Sequence, residues 1–197
     1  VGIDQISGFG GDDLIFAGGD NDVVSGDEGD DTAFGGGGDD SLFGWTGADT
    51  LIGDDGNDRL FGQQDDDTLL GWVGDDELFG DDGNDDLFGQ DGEDVLLGWV
   101  GDDLLAGGKG FDVMDGQDGI DTYLFEASDL VAGGSDLILS YEGSDIYQFE
   151  ASLNGAVSTY GFAGGAAFNV DLGNGQFHFV DVVGATEAQL QAQLSFV

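Results

Sequence analysis

The sequence contains no cysteine and no proline, and only two basic residues stand against 43 acidic ones. The lack of cysteine excludes both disulfide bonds and thiolate metal sites. The net charge of −41 argues against nucleic acid and anionic membrane surfaces as partners, because both are bound by clustered lysine and arginine. The lack of proline suits a backbone whose N–H groups are nearly all needed in β-ladders. No apolar run approaches the roughly 18 residues of a membrane span.

What the sequence does contain is a strict nine-residue period. From Gly8 to Leu124 it reads as thirteen consecutive units without insertion or deletion, such as GDDGNDRLF at 53–61 and GDDGNDDLF at 80–88. Position eight of each unit is apolar or tyrosine. Position six is always aspartate: Asp13, Asp22, Asp31, Asp40, Asp49, Asp58, Asp67, Asp76, Asp85, Asp94, Asp103, Asp112 and Asp121. A period held this strictly indicates a solenoid.

The residue types within one unit predict its local structure. Glycine takes position one in twelve units and position four in eleven, which indicates either backbone angles that a Cβ forbids or very close backbone approach. Positions seven to nine carry strand-forming residues, so each unit should be a six-residue turn and a short strand with position eight facing inward. Two units then make one coil, and successive coils stack at about 4.8 Å. The predicted fold class is all-β, a two-sheet parallel β-solenoid.

Stacked coils place each position-six aspartate directly above its counterpart in the coil below. Two charges about 4.8 Å apart repel by roughly 0.9 kcal/mol even in water, so some ten neighbouring pairs cost on the order of 10 kcal/mol. Because this cost equals the whole stability of an ordinary domain, the array should not fold without a counter-ion. Carboxylates and turn carbonyls are hard oxygen ligands, which favour calcium over magnesium because calcium accepts more oxygens in a more flexible geometry.

These units resemble the glycine- and aspartate-rich nonapeptide of RTX, or haemolysin-type calcium-binding, proteins, and GGGGDDSLF at 35–43 is a further example. The resemblance covers Gly2 to Leu124 and continues in degraded form to about Tyr147. It implies a parallel β-roll that binds about ten calcium ions between stacked turns, through the position-six carboxylates and turn carbonyls. It also implies a bacterial protein that leaves the cell by type I secretion and folds outside.

The predicted outer surface has two features that calcium does not explain. Position two carries Trp45, Trp72 and Trp99, one at every third unit. These tryptophans either cover turns in a duplicated block or bind a carbohydrate or protein partner. Position nine forms one apolar file on each sheet: Phe43, Phe61, Phe79 and Leu97 on the first, and Phe34, Ile52, Leu70 and Phe88 on the second. The files indicate self-association, simple strand preference, or a face covered by the C-terminal segment.

After residue 124 the repeat register breaks. We divide the chain into a calcium-binding β-roll at 1–124, degraded repeats at 125–149 whose strands widen the end of the roll, and a C-terminal cap at 150–197. Asp136 and Asp145 still follow the repeat signature, and the sequence leaves open whether they bind calcium.

The predicted cap contains a hairpin and a short helix. The hairpin turns at GNG, residues 173–175. A capping box of Thr186 and Gln189 should open the helix, with Leu190 and Leu194 on one face. The apolar end of the chain resembles the C-termini of other RTX proteins, which implies an uncleaved signal read by the type I secretion machinery.

No feature of the sequence predicts an enzyme. His178 is the only histidine, and its alternation with Phe177 and Phe179 should turn it towards solvent, without the positioned partner that acid–base catalysis needs. No HExxH or GxSxG motif occurs. The many adjacent carboxylates are already explained by the turns.

Two roles are therefore compatible with the sequence. The first is a secreted, non-catalytic calcium-binding protein with a structural or assembly role, such as an extracellular fibre or surface layer. The second is the folding and secretion module of a larger hydrolase, toxin or adhesin. Gly2, Asp4 and Ile6 occupy positions four, six and eight of a preceding unit, so we expect a processed product or a piece of a longer chain.

Overall fold

The computed structural model describes residues 2–126, 129–130, 135–139, 145–150, 157–162, 165–173 and 176–196. Over this part the chain winds into a parallel β-solenoid with two sheets, which confirms the predicted fold class. The strands that form the eleven-stranded sheet are β1 (Gln5–Ser7), β3 (Val23–Glu28), β5 (Ser41–Thr46), β7 (Arg59–Gln64), β9 (Glu77–Asp82), β11 (Val95–Val100), β13 (Val113–Asp118), β15 (Ser135–Ile138), β19 (Gln176–Val183), β18 (Gly165–Gly173) and β17 (Val157–Phe162), in that spatial order. The nine-stranded sheet contains β2 (Leu14–Gly19), β4 (Thr32–Gly37), β6 (Thr50–Asp55), β8 (Thr68–Val73), β10 (Asp86–Asp91), β12 (Leu104–Lys109), β14 (Thr122–Phe125), β16 (Ile146–Phe149) and β20 (Leu194–Phe196).

Each coil consists of two nine-residue units, as predicted. Neighbouring strands of a sheet pair in parallel with an offset of two units, so that Gln5 lies opposite Val23 and Val95 opposite Val113. The same offset holds in the nine-stranded sheet, for example between Thr50 and Thr68. Because this register aligns equivalent positions of every second unit, each position of the repeat forms a straight file along the roll.

The strands are longer than the sequence predicted. β5 runs for six residues, because positions one to three of each unit continue the strand begun by positions seven to nine of the unit before. The residue at position two continues the ladder with a left-handed backbone, with φ of 81° at Trp45 and 83° at Gln63. The turn shrinks to positions four to six, such as residues 47–49. The predicted six-residue turn was therefore wrong.

The position-eight side chains form the core. They are fully buried from the second unit to the last, as Val24, Ala33, Leu42, Leu51, Leu60, Leu69, Leu78, Leu87, Leu96, Leu105, Met114 and Tyr123. Positions seven and nine lie on the outer face of each sheet and are mostly half-buried. Since each sheet contributes one such side chain per coil, the apolar layer is thin and the ladders and turns carry much of the fold.

The coils lengthen towards the C-terminus. Val113 pairs with Leu137 and Thr122 with Ile146, so the offset between paired strands now exceeds two units. Rings replace leucine in the core of this wider section: the centroids of Tyr123 and Tyr147 lie 5.3 Å apart. The strands themselves do not lengthen: β15 and β16 have four residues each, whereas β5 in the regular coils has six. The end of the roll at residue 149 stays a prediction.

The C-terminal strands close this end of the roll. In the eleven-stranded sheet, β19 pairs in parallel with β15, β18 pairs antiparallel with β19, and β17 pairs antiparallel with β18. In the nine-stranded sheet, β20 pairs in parallel with β16. The hairpin of β18 and β19 is the predicted one, although residues 174 and 175 of its turn lie outside the described part. Along the described residues, the C-terminal segment extends both sheets end-on and leaves the apolar files of the roll uncovered.

The single described helix, α1 (Glu187–Gln193), opens with the predicted capping box. The backbone N–H of Thr186 donates to Oε1 of Gln189 over 2.8 Å, and the N–H of Gln189 donates back to Oγ1 of Thr186 over 3.4 Å. Leu190 is buried as predicted. Leu194 was wrongly placed in the helix: it begins β20, where the chain rejoins the sheet beside Tyr147. Along the described chain, no helix has the length and apolarity needed to cross a membrane.

Candidate calcium sites between the coils

The position-six aspartates form two stacks. Each stack lies at the turns that directly precede the strands of one sheet. The stack entering the eleven-stranded sheet contains Asp22, Asp40, Asp58, Asp76, Asp94 and Asp112, and Asp136 extends it. The stack entering the nine-stranded sheet contains Asp13, Asp31, Asp49, Asp67, Asp85, Asp103 and Asp121, and Asp145 extends it. All of them except the half-buried Asp13 are at most 3% exposed. Fifteen carboxyl groups therefore line two buried files.

From Asp22 onward, one oxygen of each of these carboxyl groups accepts a backbone hydrogen bond. Oδ1 of Asp58 accepts a hydrogen bond from the backbone N–H of Asp40 over 2.7 Å, and Oδ1 of Asp67 accepts one from Asp49 over 2.7 Å. The same bond recurs along both stacks, always from the preceding coil to the following one. This ladder explains why position six is aspartate, since a glutamate would carry its carboxyl group one methylene further from the donor.

The second oxygen is buried without a hydrogen-bond partner. Among the described residues this holds for Oδ2 of all thirteen aspartates of the regular units, Asp13, Asp22, Asp31, Asp40, Asp49, Asp58, Asp67, Asp76, Asp85, Asp94, Asp103, Asp112 and Asp121. A buried polar atom without a partner costs about 1–3 kcal/mol, and more when it is charged. Thirteen of them in register need a common partner, and a cation between the coils supplies one.

The position-one glycine keeps the space beside Oδ2 open. A methyl group added at Gly53 would overlap Oδ2 of Asp58 and would lie 2.8 Å from the carbonyl oxygen of Gly71 in the next coil. Gly80 has the same relation to Asp85 and to the carbonyl oxygen of Gly98. None of the position-one glycines has a positive φ, so close approach rather than an unusual backbone angle requires them. A carboxylate oxygen and a carbonyl oxygen thus border one small space in each coil.

Burial makes the bare stacks hard to ionise. It raises the pKa of Asp67 to about 8, with a smaller contribution from repulsion by Asp49 and Asp85, against the hydrogen bond from the Asp49 backbone. Burial likewise raises the pKa of Asp94 to about 8. The pKa rises to about 7 at Asp76, Asp103, Asp112 and Asp121, and to about 6 at Asp49, Asp58 and Asp85. At neutral pH, then, the files need either protons or cations.

The donor set fits calcium. Oδ2 of the aspartates and the position-one carbonyls are all hard oxygens, and calcium accepts several of them at once in a flexible geometry. Among the described residues, no three acidic, histidine or cysteine side chains are grouped so that they could hold a metal ion by themselves. The position-six aspartates and the turn carbonyls stay the predicted ligands.

A second hydrogen-bond ladder, which was not predicted from the sequence, runs along the turns at position five. The backbone N–H of Asn84 donates to Oδ1 of Asp66 over 2.8 Å, and the N–H of Asp102 donates to Oδ1 of Asn84 over 2.9 Å. These bonds point opposite to those of position six. Aspartate and asparagine serve equally, so this exposed ladder needs an oxygen acceptor but no charge. That interchange was visible in the sequence.

His178 does not face solvent, and that prediction was wrong. Its ring is fully buried, and Nε2 lies 2.9 Å from Oδ2 of Asp136, which is itself only 3% exposed. Oδ1 of Asp136 accepts the ladder bond from the N–H of Asp112 over 3.2 Å. The histidine therefore takes the place beside the last aspartate of this stack that remains open in the regular coils. The contact joins residues 42 positions apart, which alternation within one strand could not reveal.

The tryptophans and the apolar files lie on the outer surface, as predicted. Trp45 and Trp99 belong to the eleven-stranded sheet and Trp72 to the nine-stranded sheet, and all three are between 44 and 48% exposed. Gln63 and Asp81 lie between Trp45 and Trp99, so those rings stand about 14 Å apart. The phenylalanines are closer: the ring centroids of Phe43 and Phe61 are 4.9 Å apart and stacked.

Solved structures similar to the chain include the following two. An extracellular lipase, LipA from Serratia marcescens, has 18% identity and a TM-score of 0.48, and the match covers 95% of this chain but only 38% of the lipase. A subunit of the mannuronan C5-epimerase from Azotobacter vinelandii has 25% identity and a TM-score of 0.28, covering 68% of this chain and 78% of that one. No curated protein sequence matches.

The repeat itself gives a family match over most of the chain. The profile described as the RTX calcium-binding nonapeptide repeat matches seven overlapping segments: 1–24, 16–51, 25–60, 43–78, 52–87, 79–114 and 88–123. These segments contain all but one of the thirteen regular units in full, and all thirteen position-six aspartates. The spacing, the buried carboxylates and this match agree, and the chain belongs to the RTX calcium-binding nonapeptide repeat family.

Proposed function

We propose that this chain is a secreted calcium-binding β-roll that folds when calcium reaches it outside the cell and that serves a structural, non-catalytic role. The observation that carries the proposal is the set of thirteen buried Oδ2 atoms without a partner. A fold that buries so many unpaired carboxylate oxygens is unstable by itself, and calcium between the coils removes the instability.

The ligands in this proposal are the position-six aspartates from Asp13 to Asp121, through Oδ2, together with carbonyl oxygens of the turns. About ten ions fill the two stacks, and ten divalent ions offset about 20 of the 41 negative charges. Because a site needs turns from two neighbouring coils, no site exists in the unfolded chain. Calcium binding and folding are therefore one reaction.

The coupling of folding to calcium binding also supports secretion of the chain in an unfolded state. Calcium modules outside cells have dissociation constants of about 10⁻⁴ to 10⁻³ M, far above cytoplasmic calcium. A chain tuned to that range stays unfolded inside the cell, passes a narrow type I secretion channel, and folds on arrival. The strong negative charge assists, because it keeps the calcium-free chain expanded.

A non-catalytic role is supported by the surroundings of the groups that could perform chemistry. His178 is buried against Asp136, so its ring is closed to a substrate. The buried aspartates are held in the ladder of the stacks, and each already has a structural task. The exposed position-five carboxylates bind backbone N–H groups of neighbouring turns.

Circular dichroism during a calcium titration tests the proposal directly. We expect a disordered spectrum in calcium-free buffer and a cooperative rise in β-signal at about 10⁻⁴ to 10⁻³ M calcium. Magnesium at the same concentration is the control and should fail, because it gives up its water ligands reluctantly. Full strand content after calcium removal at pH 8 would contradict the proposal.

A second candidate is the folding and secretion module of a larger hydrolase, toxin or adhesin. It is compatible with the family match, because the calcium-binding repeats make up residues 1–123 of the chain. Sequencing the gene upstream of the codon for Val1 decides between the candidates: a reading frame that continues into an enzyme or adhesin domain supports the module.

The exposed tryptophans support a third role, a carbohydrate- or protein-binding surface. The two rings on the eleven-stranded sheet are three coils apart, so one small sugar cannot stack on both. A glycan array with the folded chain and with Trp45→Ala, Trp72→Ala and Trp99→Ala variants tests this role. Binding that disappears in the variants supports it.

A further inference from the structure

The stack entering the eleven-stranded sheet changes at its C-terminal end. Oδ2 of Asp112 is buried without a hydrogen-bond partner, like Oδ2 of the aspartates before it. One coil further on, Oδ2 of Asp136 lies 2.9 Å from Nε2 of His178. The two carboxyl groups are otherwise alike, since both are at most 3% exposed and Oδ1 of each accepts a backbone N–H from the preceding coil. The histidine ring therefore distinguishes two adjacent places in one stack.

The coil that follows each aspartate decides what Oδ2 can bind. In the regular coils it offers a carbonyl oxygen beside Oδ2, as Gly71 does for Asp58. A carboxylate oxygen and a carbonyl oxygen are both acceptors, so they need a cation between them. The strand that follows Asp136 is β19, and it offers the ring nitrogen of His178 instead. A ring N–H donates directly to a carboxylate oxygen, so this place is satisfied without an ion.

The register of β19 also ends the file of acids. It pairs Asp136 with Val180, so a buried valine takes the place at which a regular coil would hold the next aspartate. His178 precedes Val180 by two residues, lies on the same side of the strand, and is fully buried as well. The strand therefore brings an apolar side chain and a ring N–H to the end of the stack.

The few groups that can carry positive charge are distributed in the same sense. The sequence contains two basic residues and one histidine. Arg59 and Lys109 are exposed and pair with acids of the outer surface. Of the three, only His178 lies against a buried stack. An imidazolium at this position also attracts the carboxylate of Asp112, as a cation between the two coils would.

We infer that His178 takes the place of a calcium ion at Asp136, so that this stack ends with the ion bound at Asp112. The inference rests on the proposed function, because it takes the position-six aspartates as calcium ligands. It assigns Asp136, which the sequence leaves open, to the histidine. The stack then binds its ions at Asp22, Asp40, Asp58, Asp76, Asp94 and Asp112, and the last coil closes through a contact within the chain.

Native mass spectrometry of the full chain tests the inference, because it counts bound ions one by one after loading at about 5 mM calcium, above the usual affinity of extracellular sites. Asp112→Asn and Asp136→Asn are a matched pair: both residues are buried in the same stack, and asparagine keeps the bond that Oδ1 accepts. We expect Asp112→Asn to bind at least one ion fewer than the unchanged chain and Asp136→Asn to bind the same number.

Two substitutions of the histidine give the converse test. His178→Ala frees Oδ2 of Asp136 and opens the space of the ring, so the folded variant should bind one ion more than the unchanged chain. Its unfolding midpoint should also depend more steeply on calcium, since one more ion then stabilises the fold. His178→Gln is the control: its side-chain amide still offers an N–H donor, so the ion count should stay unchanged.

Each measurement can overturn the inference. Loss of an ion from Asp136→Asn overturns it, as does a folded His178→Ala chain with an unchanged ion count. If His178→Ala does not fold, the two aspartate variants decide alone, because both retain the histidine. An unchanged count for Asp112→Asn contradicts the ligand set of the proposed function instead, and circular dichroism on the same samples shows which variants are folded.

Discussion

Replacing Asp67 with asparagine should affect the calcium-bound and calcium-free rolls in opposite directions. Oδ1 of Asp67 accepts the N–H of Asp49 over 2.7 Å, and asparagine can keep that bond. The substitution exchanges Oδ2, which is buried without a partner, for an uncharged NH₂ group. It therefore removes one proposed calcium ligand and also one buried carboxylate.

With calcium bound, the variant should be less stable. One ion at a free concentration a hundredfold above its dissociation constant stabilises the fold by about 2.7 kcal/mol, and we expect a loss of this order. Without calcium, keeping Asp67 protonated at pH 7 costs on the order of 4 kcal/mol, because its pKa is about 8 in the fold and 3.8 in an exposed chain. Asparagine avoids this cost, but it buries an NH₂ donor without a partner, which destabilises the variant by about 1–3 kcal/mol. The calcium-free variant should therefore gain about 1–3 kcal/mol.

Asp66→Asn is the matched control. Asp66 is the neighbouring residue, it is exposed, and its Oδ1 accepts the N–H of Asn84, a role that asparagine already fills elsewhere in the ladder. Urea unfolding at saturating calcium should shift to lower midpoint for Asp67→Asn and stay unchanged for Asp66→Asn. In calcium-free buffer, folding forced by trimethylamine N-oxide should begin at lower osmolyte concentration for Asp67→Asn. Equal behaviour of the two variants would refute the assignment of Oδ2 as a ligand.

Three further outcomes are expected. The position-six aspartates from Asp49 to Asp121 have pKa values of about 6 to 8 in the fold, above the value of 3.8 for an exposed carboxyl group, so protonation favours the calcium-free roll. Circular dichroism in metal-free buffer should therefore show more strand at pH 5 than at pH 8, and equal spectra would contradict the burial of the stacks. Gly53→Ala should raise the calcium concentration at the folding midpoint and destabilise the roll by about 1–3 kcal/mol, because the added methyl group overpacks the space beside Oδ2 of Asp58. Gly37→Ala is the control and should be neutral, since its methyl group would meet no atom within 4 Å. Equal calcium titrations of the two variants would contradict a calcium site beside Oδ2. His178→Ala should cost about 3–5 kcal/mol in thermal or urea unfolding, because Oδ2 of the buried Asp136 carboxylate loses its contact with the histidine. Adding Asp136→Asn should recover part of the loss, and an unchanged midpoint for His178→Ala would show that the pair contributes nothing.

The regular part of this fold could be predicted from the sequence because its information is local and repeated. The period fixes which residues stack, and the position-eight residues, such as Leu60, could only face inward. The position-six aspartates follow from the same register. Even the unpaired Oδ2 atoms were foreseeable in kind, since stacked acids need a cation.

The remaining features depend on long-range contacts or backbone angles that cannot be predicted from residue types. Position two takes a positive φ with tryptophan, glutamine or aspartate, and only glycine would have signalled that angle, so the strands appeared too short. His178 reaches Asp136 from a distant part of the sequence and Leu194 leaves the helix to meet β16, both because the closing strands bring remote segments together. Such long-range contacts lie outside any repeat.

The pairing of each strand with the equivalent strand one coil away has a mechanical consequence. Every strand lies across the roll axis, and each coil contacts only the coils before and after it. Tension applied along the axis therefore peels coils from an end, and each coil released adds about 60 Å of extended chain. Because each peeled coil also opens the ion sites that it shares with its neighbour, the force of every step should depend on the surrounding calcium. The roll would then act as a spring with equal steps and a stiffness that calcium sets.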